Sequence, residues 1–244
     1  MSKVIAVLGA GTGLGVSVAR RFGREGFRVA LVARRKERLD ALVERLAAEG
    51  IEAAAFPADL SDPAGVPALV AAVRERFGRI DVVEYGPIGG DVPFVPARDL
   101  DAATLTRLSG LLLLTPVEVF HTVLPELTER GDGALLMTTG YSAVHPMPHL
   151  SGVGPVMSAA RNYLYSLSGE LTGTGVYAGT LTVAAMITGS EGAEAATASP
   201  DSPFDPTAFP VADPAELADL YWDMYTKRDR VEQAYPVELT PVSA

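Results

Sequence analysis

The sequence predicts an α/β fold of the Rossmann-like, doubly wound class: a parallel sheet of about seven strands with helices on both faces. Three observations lead there. Short apolar or β-branched runs alternate with longer, partly charged segments of helical period, as repeated βαβ units do. The runs 29–33 and 134–137 are apolar almost throughout rather than alternating, the pattern of strands covered on both faces. The first such run leads straight into a glycine-rich turn that opens a helical pattern.

In chain order, strands are expected near 4–8, 28–33, 52–56, 80–84, 134–138, 180–184 and 232–239. Helices are expected over 13–24, 36–48, 64–77, 117–129, 151–171 and 214–226. In the second helix Leu39, Leu42, Val43 and Leu46 recur at spacings of three and four, and Lys36, Glu37, Arg38, Asp40, Glu44 and Arg45 cover the opposite side. One face therefore packs on the sheet. Pro116 removes a backbone donor and clashes with the preceding turn, so the fourth helix is started there, with proline at a favourable first position. The stretch 189–213, rich in Ala, Ser, Pro and acidic residues, is too long and polar for an ordinary connection. It is expected to be either a mobile substrate lid or disordered.

Length and composition set the outer limits. The 244 residues with 48% hydrophobic content suit one domain with a large core. A net charge of −10, from 20 basic against 30 acidic residues, repels nucleic acid and anionic membrane surfaces. The chain has no cysteine, which removes disulfides, thiolate metal sites and a cysteine nucleophile. Only five apolar residues precede Gly9, against the roughly 7 to 15 of a signal peptide's apolar region. No uninterrupted apolar run approaches the roughly 18 residues of a membrane span. A cytoplasmic protein acting on a small molecule is the expectation.

The turn Gly9, Ala10, Gly11, Thr12, Gly13, Leu14, Gly15 sits between the first strand and the first helix. Glycines there permit a tight turn and close backbone approach, and the free amides and dipole of the helix start attract a pyrophosphate. A glycine-rich turn with no ligand is the competing reading. Where an NAD site places a carboxylate for the ribose hydroxyls, the second strand ends in Ala33, Arg34, Arg35. Guanidinium groups offer paired donors to a ribose 2′-phosphate, so the cofactor expected is NADP. The same arginines also suit a solvated helix start.

These residues resemble the classical short-chain dehydrogenase/reductase family. The spacing of Gly9, Gly13 and Gly15, the pair Arg34 and Arg35, and Asp59 followed by Leu60 are all similar to its NADP-type members. The resemblance implies that Asp59 and Leu60 contact adenine, that Tyr85 and Gly86 border the cofactor, and that Thr188 contacts the carboxamide. It also implies a homodimer or homotetramer formed through the long helices 117–129 and 151–171, where Tyr163, Leu164, Tyr165 and Leu167 add apolar surface.

The family's catalytic signature is a tyrosine with a lysine four residues later. None of the eight tyrosines here has one, and the only lysines are Lys3, Lys36 and Lys227. Alignment puts Val153 at the tyrosine position, Met157 at the lysine position, Leu112 at that of a helix asparagine, and Gly140 at that of a serine, with Thr139 and Ser142 nearby. Tyr85, Gly86, Pro87 replace the usual Asn-Ala-Gly, and Ala184, Ala185 replace Pro-Gly.

A proton must then come from elsewhere. Tyr141, Ser142 and His145 follow the fifth strand at its carboxyl end, where open α/β sheets bind ligands, and histidine titrates near neutrality. A packed loop tyrosine and an ordinary loop histidine are the alternatives. Metal binding by His145 and His149 is discounted, because Pro146 and Pro148 prevent a regular helix between them. Three functions remain open: an atypical NADP(H)-dependent oxidoreductase for a small apolar carbonyl or alcohol, a redox-neutral isomerase or cyclase, and a catalytically silent binding or regulatory protein.

Overall fold

A computed structural model describes residues 2–88, 94–198 and 209–237. The elements run β1 (Val4–Leu8), α1 (Leu14–Arg24), β2 (Arg28–Ala33), α2 (Lys36–Ala48), β3 (Ala53–Pro57), α3 (Val66–Phe77), β4 (Val82–Tyr85), α4 (Ala102–Ser109), α5 (Thr115–Arg130) and β5 (Gly133–Gly140). They continue through α6 (Val153–Glu170), β6 (Val176–Val183), β7 (Met186–Ile187), α7 (Glu191–Ala198), β8 (Val211–Ala212), α8 (Pro214–Lys227) and β9 (Glu232–Tyr235).

Seven strands form one parallel sheet in the order β3-β2-β1-β4-β5-β6-β9. The order reverses between β1 and β4, and this switch point opens a crevice at the carboxyl edge of the sheet. Side chains of β1, β2 and β4 alternate between two cores. Ile5, Val7, Val29, Leu31 and Val82 pack with α1, α2 and α8, whereas Val4, Ala6, Leu8, Val83 and Tyr85 pack with α3, α5 and α6. Both faces are thus covered, which is why these strands read as continuous apolar runs. At the opposite, amino edge, buried Asp81 accepts hydrogen bonds from the Val4 amide (2.8 Å) and from Arg79 Nε (2.8 Å).

One expectation changes. The helix expected from Pro116 is part of a continuous helical stretch, Ala102–Arg130, that runs through the proline. A π turn over Gly110–Leu114 makes this possible: the Thr115 amide bonds back to the Gly110 carbonyl, so the register has already shifted where Pro116 lacks its donor. The stretch is 29 residues long and holds an 18-residue window of mean hydropathy 1.4, long and apolar enough to cross a membrane by length and composition alone. Its charged and polar residues interrupt the apolar runs, so no single run reveals it. It lies against the sheet instead, with Leu112, Val119, Phe120, Val123 and Leu127 buried. The stretch 189–213, expected to be a mobile substrate lid or disordered, contains α7 and β8, the latter paired with β7 in a two-stranded parallel ribbon; residues 199–208 of it lie outside the described residues.

Candidate functional site

The glycine turn is built by close backbone contacts. The Gly9 and Ala10 amides both donate to the Val32 carbonyl (3.0 and 2.9 Å), and the Gly11 amide donates to the Gly9 carbonyl (2.7 Å). Gly9 has φ +105°, and a Cβ there would fall 2.7 Å from the Pro87 nitrogen. A Cβ on Gly15 would fall 2.6 Å from the Gly9 carbonyl oxygen, so α1 can seat against the turn only with glycine at that place. Gly13 caps α1 without a side-chain hydrogen bond, and Leu14 is buried behind it. The amides at the helix start therefore have no side-chain acceptor from the cap. Such a start fits a pyrophosphate.

The residues expected from the sequence to meet adenosine lie at the ends of β2 and β3. Arg34 and Arg35 are exposed where β2 passes into α2, and Arg35 is the residue that caps α2. Arg35 pairs with Glu191 of α7, and so does Arg38, one turn further along α2. Arg38 was not singled out from the sequence, although its position three residues after Arg35 puts both on one helix face. The Asp59 carboxylate accepts from the Ser61 amide (3.0 Å) and hydroxyl (2.8 Å), which holds its pKa below the usual range. Leu60 is buried beside it. Thr12 donates to the Gly189 carbonyl (2.7 Å), and the Thr188 amide donates to the Ala212 carbonyl (3.0 Å), which fixes Thr188 at the end of the β7–β8 ribbon.

At the end of β4 the geometry departs from expectation. Tyr85 does not border the turn with its side chain: it is buried among α3, α5 and α6, and its hydroxyl donates to the Leu111 carbonyl in the π turn. Strand alternation requires this, because Tyr85 shares the face of Val83. Only the neighbouring backbone meets the turn, through the Gly86 amide on the Leu8 carbonyl (3.0 Å). Glu84 takes the other face, fully buried, and accepts from the Thr138 hydroxyl (3.0 Å), which in turn lies 2.7 Å from the Tyr221 hydroxyl. Burial pushes the Glu84 carboxyl up to about 8, an effect the Thr138 bond only partly offsets. Glu84 is not among the residues expected from the sequence, although a glutamate between Val83 and Tyr85 in an apolar run is the signal that marks it.

Beyond β5, the positions that the family resemblance assigns to catalytic groups come together. The Gly140 amide donates to Met157 Sδ (3.4 Å), and a Cβ on Gly140 would lie 3.5 Å from the same sulfur. Leu112, Val153 and Met157 belong to one buried apolar cluster with Leu108, Ala143 and Val156. Thr139 is buried and turned toward Thr182 (2.8 Å) and Thr180 (3.2 Å). Ser142 is buried, with its carbonyl oxygen 3.2 Å from the Cβ position of Gly154, so it is packed under α6. The Tyr141 ring is buried and stacks on His145, with centroids 4.7 Å apart and planes at 27°, while Phe209 meets its edge at 6.3 Å. His145 is partly exposed. His149 has φ +65°, and its buried Nδ1 has no hydrogen-bond partner among the described residues.

Residues 3–198 match the short chain dehydrogenase family, and the chain belongs to it. It is 31% identical over 177 residues to sulfoacetaldehyde reductase 2 of Chromohalobacter salexigens, covering 72% of this chain and 69% of that one. It is 31% identical over 176 residues to a short chain dehydrogenase of Pseudocercospora fijiensis, covering 71% of this chain and 56% of that one. Among solved structures, an alcohol dehydrogenase from the archaeon Thermococcus sibiricus, complexed with 5-hydroxy-NADP, superimposes with a TM-score of 0.80 at 25% identity over 96% of each chain.

The buried Glu84 makes stability depend on pH. Its folded pKa of about 8 lies above the ordinary 4.5, so between these values the folded state holds a proton that the unfolded state has lost. Stability is therefore greatest below the lower value and falls as pH rises toward the upper one, by at most about 1.4 kcal/mol per pH unit. Glu84→Gln should flatten that decline in denaturant unfolding between pH 5 and 9. Equal slopes for both proteins would show that Glu84 ionises freely in the fold.

Proposed function

We propose that this protein binds NADP(H) along the Gly9–Gly15 turn and the arginines of α2, and acts as an atypical oxidoreductase on a small, largely apolar carbonyl or alcohol. The observation that carries the reading is the glycine turn without a side-chain cap beside the exposed Arg34 and Arg35, while Leu112, Val153 and Met157, at the positions the resemblance assigns to catalytic groups, share one buried apolar cluster. The T. sibiricus enzyme complexed with 5-hydroxy-NADP and the reductase of C. salexigens support the same class. The chain is read as a single dinucleotide-binding domain with 189–213 as its substrate lid, located in the cytoplasm.

When bound, the dinucleotide would supply or accept a hydride at the carboxyl edge of the sheet. The protein's part is to hold and to donate. Amides at the start of α1 hold the pyrophosphate, and the Arg34 and Arg35 guanidiniums hold the 2′-phosphate. The adenine end rests at Asp59 and Leu60, and Thr188 meets the carboxamide. Met157 and Val153 exclude water where the family places a charged lysine and a tyrosine, and they offer an apolar surface to the substrate. His145 donates or takes the proton at an imidazole nitrogen, held against the Tyr141 ring, and the Tyr141 hydroxyl hydrogen-bonds the substrate oxygen, with Ser142 nearby.

A second reading rests on the same apolar cluster. Losing a positioned general acid typically costs about 10² to 10⁴ in rate, so ordinary ketone turnover should be slow. A redox-neutral enzyme, or a silent binding protein, would use the cofactor fold without that step. NADPH binding with no hydride transfer to a broad carbonyl panel would favour it.

Three outcomes are expected. Arg34→Ala with Arg35→Ala should weaken NADPH binding and leave NADH little changed in fluorescence titrations; equal losses would contradict the 2′-phosphate assignment. His145→Ala and Tyr141→Phe should abolish a native activity without weakening NADPH binding, and full activity in both would remove them from the site. The family resemblance further suggests pairing through α5 and α6. Leu164 and Leu167 are core residues, but Tyr165 and Leu114 are exposed. Sedimentation at micromolar concentration should give a dimer or tetramer, and a strictly monomeric mass would refute this.

A further inference from the structure

Glu191 occupies an unusual place for a carboxylate. It is the first residue of α7, and it pairs with both Arg35 and Arg38. The residues before it lie on the glycine turn: the Gly189 carbonyl accepts from Thr12 (2.7 Å), and a Cβ on Gly13 would meet the Ser190 Cβ at 2.9 Å. Ser190 also fixes the start of the helix, its Oγ accepting from the Ala193 amide (3.1 Å). The segment 189–191 therefore touches both places where the cofactor's phosphates are expected, and it meets the second with an anion of its own.

We propose that Glu191 is a specificity-determining latch, a carboxylate that holds Arg35, together with Arg38, in the place of the ribose 2′-phosphate and must leave when NADP(H) binds. This rests on the reading of Arg35 as a 2′-phosphate ligand. A carboxylate and a phosphate want the same guanidinium donors, and the phosphate brings more charge and more acceptor oxygens. Both cannot stay, because two anions at one arginine pair repel each other. NADP(H) binding therefore breaks the Glu191 pairs and frees the start of α7. NAD(H) has no 2′-phosphate and leaves the pairs intact. The affinity for NADP(H) is thus lowered by whatever the Glu191 pairs contribute, and by linkage the phosphorylated cofactor alone loosens α7.

The latch is tested by fluorescence titration of the full chain with NADPH and NADH. Glu191→Gln keeps the size of the side chain and removes its charge, and Glu191→Ala removes its polar end. Both should bind NADPH roughly two- to fivefold more tightly than the parent, the range an exposed ion pair supplies, with NADH binding unchanged. If NADPH affinity is unchanged or lower in both variants while Arg35→Ala weakens it in the parent, the latch is overturned and the cofactor reading stands. If Arg35→Ala leaves NADPH binding unaffected, the 2′-phosphate assignment fails and the latch fails with it.

Discussion

At the carboxyl edge of the sheet the chain leaving β1 and the chain leaving β4 pass so close that a Cβ on Gly9 would reach within 2.7 Å of the Pro87 nitrogen. That approach is forced by the parallel pairing of β1 with β4, which keeps Leu8 beside Tyr85 up to the last residue of each strand. Because β2 flanks β1 on its other side, the turn is also bound to the Val32 carbonyl by two amides. Three strands thus converge on one glycine. Everything downstream depends on the turn being that tight: α1 starts there without a side-chain cap, α2 presents its arginines one strand away, and β5 brings Tyr141 and His145 to the same edge.

If the alignment by family resemblance holds, apolar residues stand where the family places a tyrosine and a lysine, and the exchange has a physical logic. A lysine at position 157 without its tyrosine would be a buried cation with no anionic partner, a state that costs several kcal/mol. Methionine fills the space with a flexible, polarisable chain, and its sulfur accepts the Gly140 amide, which spares a backbone donor from being orphaned. Val153, at the tyrosine position, and Leu112, at the asparagine position, complete the same cluster. The replacements are therefore mutually consistent: each removes a polar group that the others would have had to satisfy.

How far the sequence could be read depends on where local signals agree with tertiary ones. The bounds of β1, β2 and α2 match the expectation because alternation, helical period and turn residues all point the same way there. The helical stretch through Pro116 was hidden, since proline is a strong local stop and the π turn that accommodates it has no signature of its own. The small helix α7 was hidden for the opposite reason: its Ala, Gly and Glu composition carries no apolar stripe, and it is held by Ser190 and by Arg35 and Arg38 from a distant part of the chain. Motif position points Tyr85 toward the cofactor, whereas strand alternation decides its direction. The same alternation turns Glu84 to the other face.

The electrostatics of the adenosine end are a matter of scale. The chain as a whole carries −10, a field that opposes the arrival of a polyanionic dinucleotide at long range. At physiological ionic strength that field is screened beyond about 8 Å, so the local balance decides binding. That balance is set by few groups: Arg34, Arg35 and Arg38 on one side, and Glu191 with the neighbouring Glu37 and Asp40 on the other, Asp40 being paired to Lys36 at 2.6 Å. A site of this kind differs from a broad basic surface. In the fold as it stands, the anion that holds two of these arginines, Arg35 and Arg38, is Glu191.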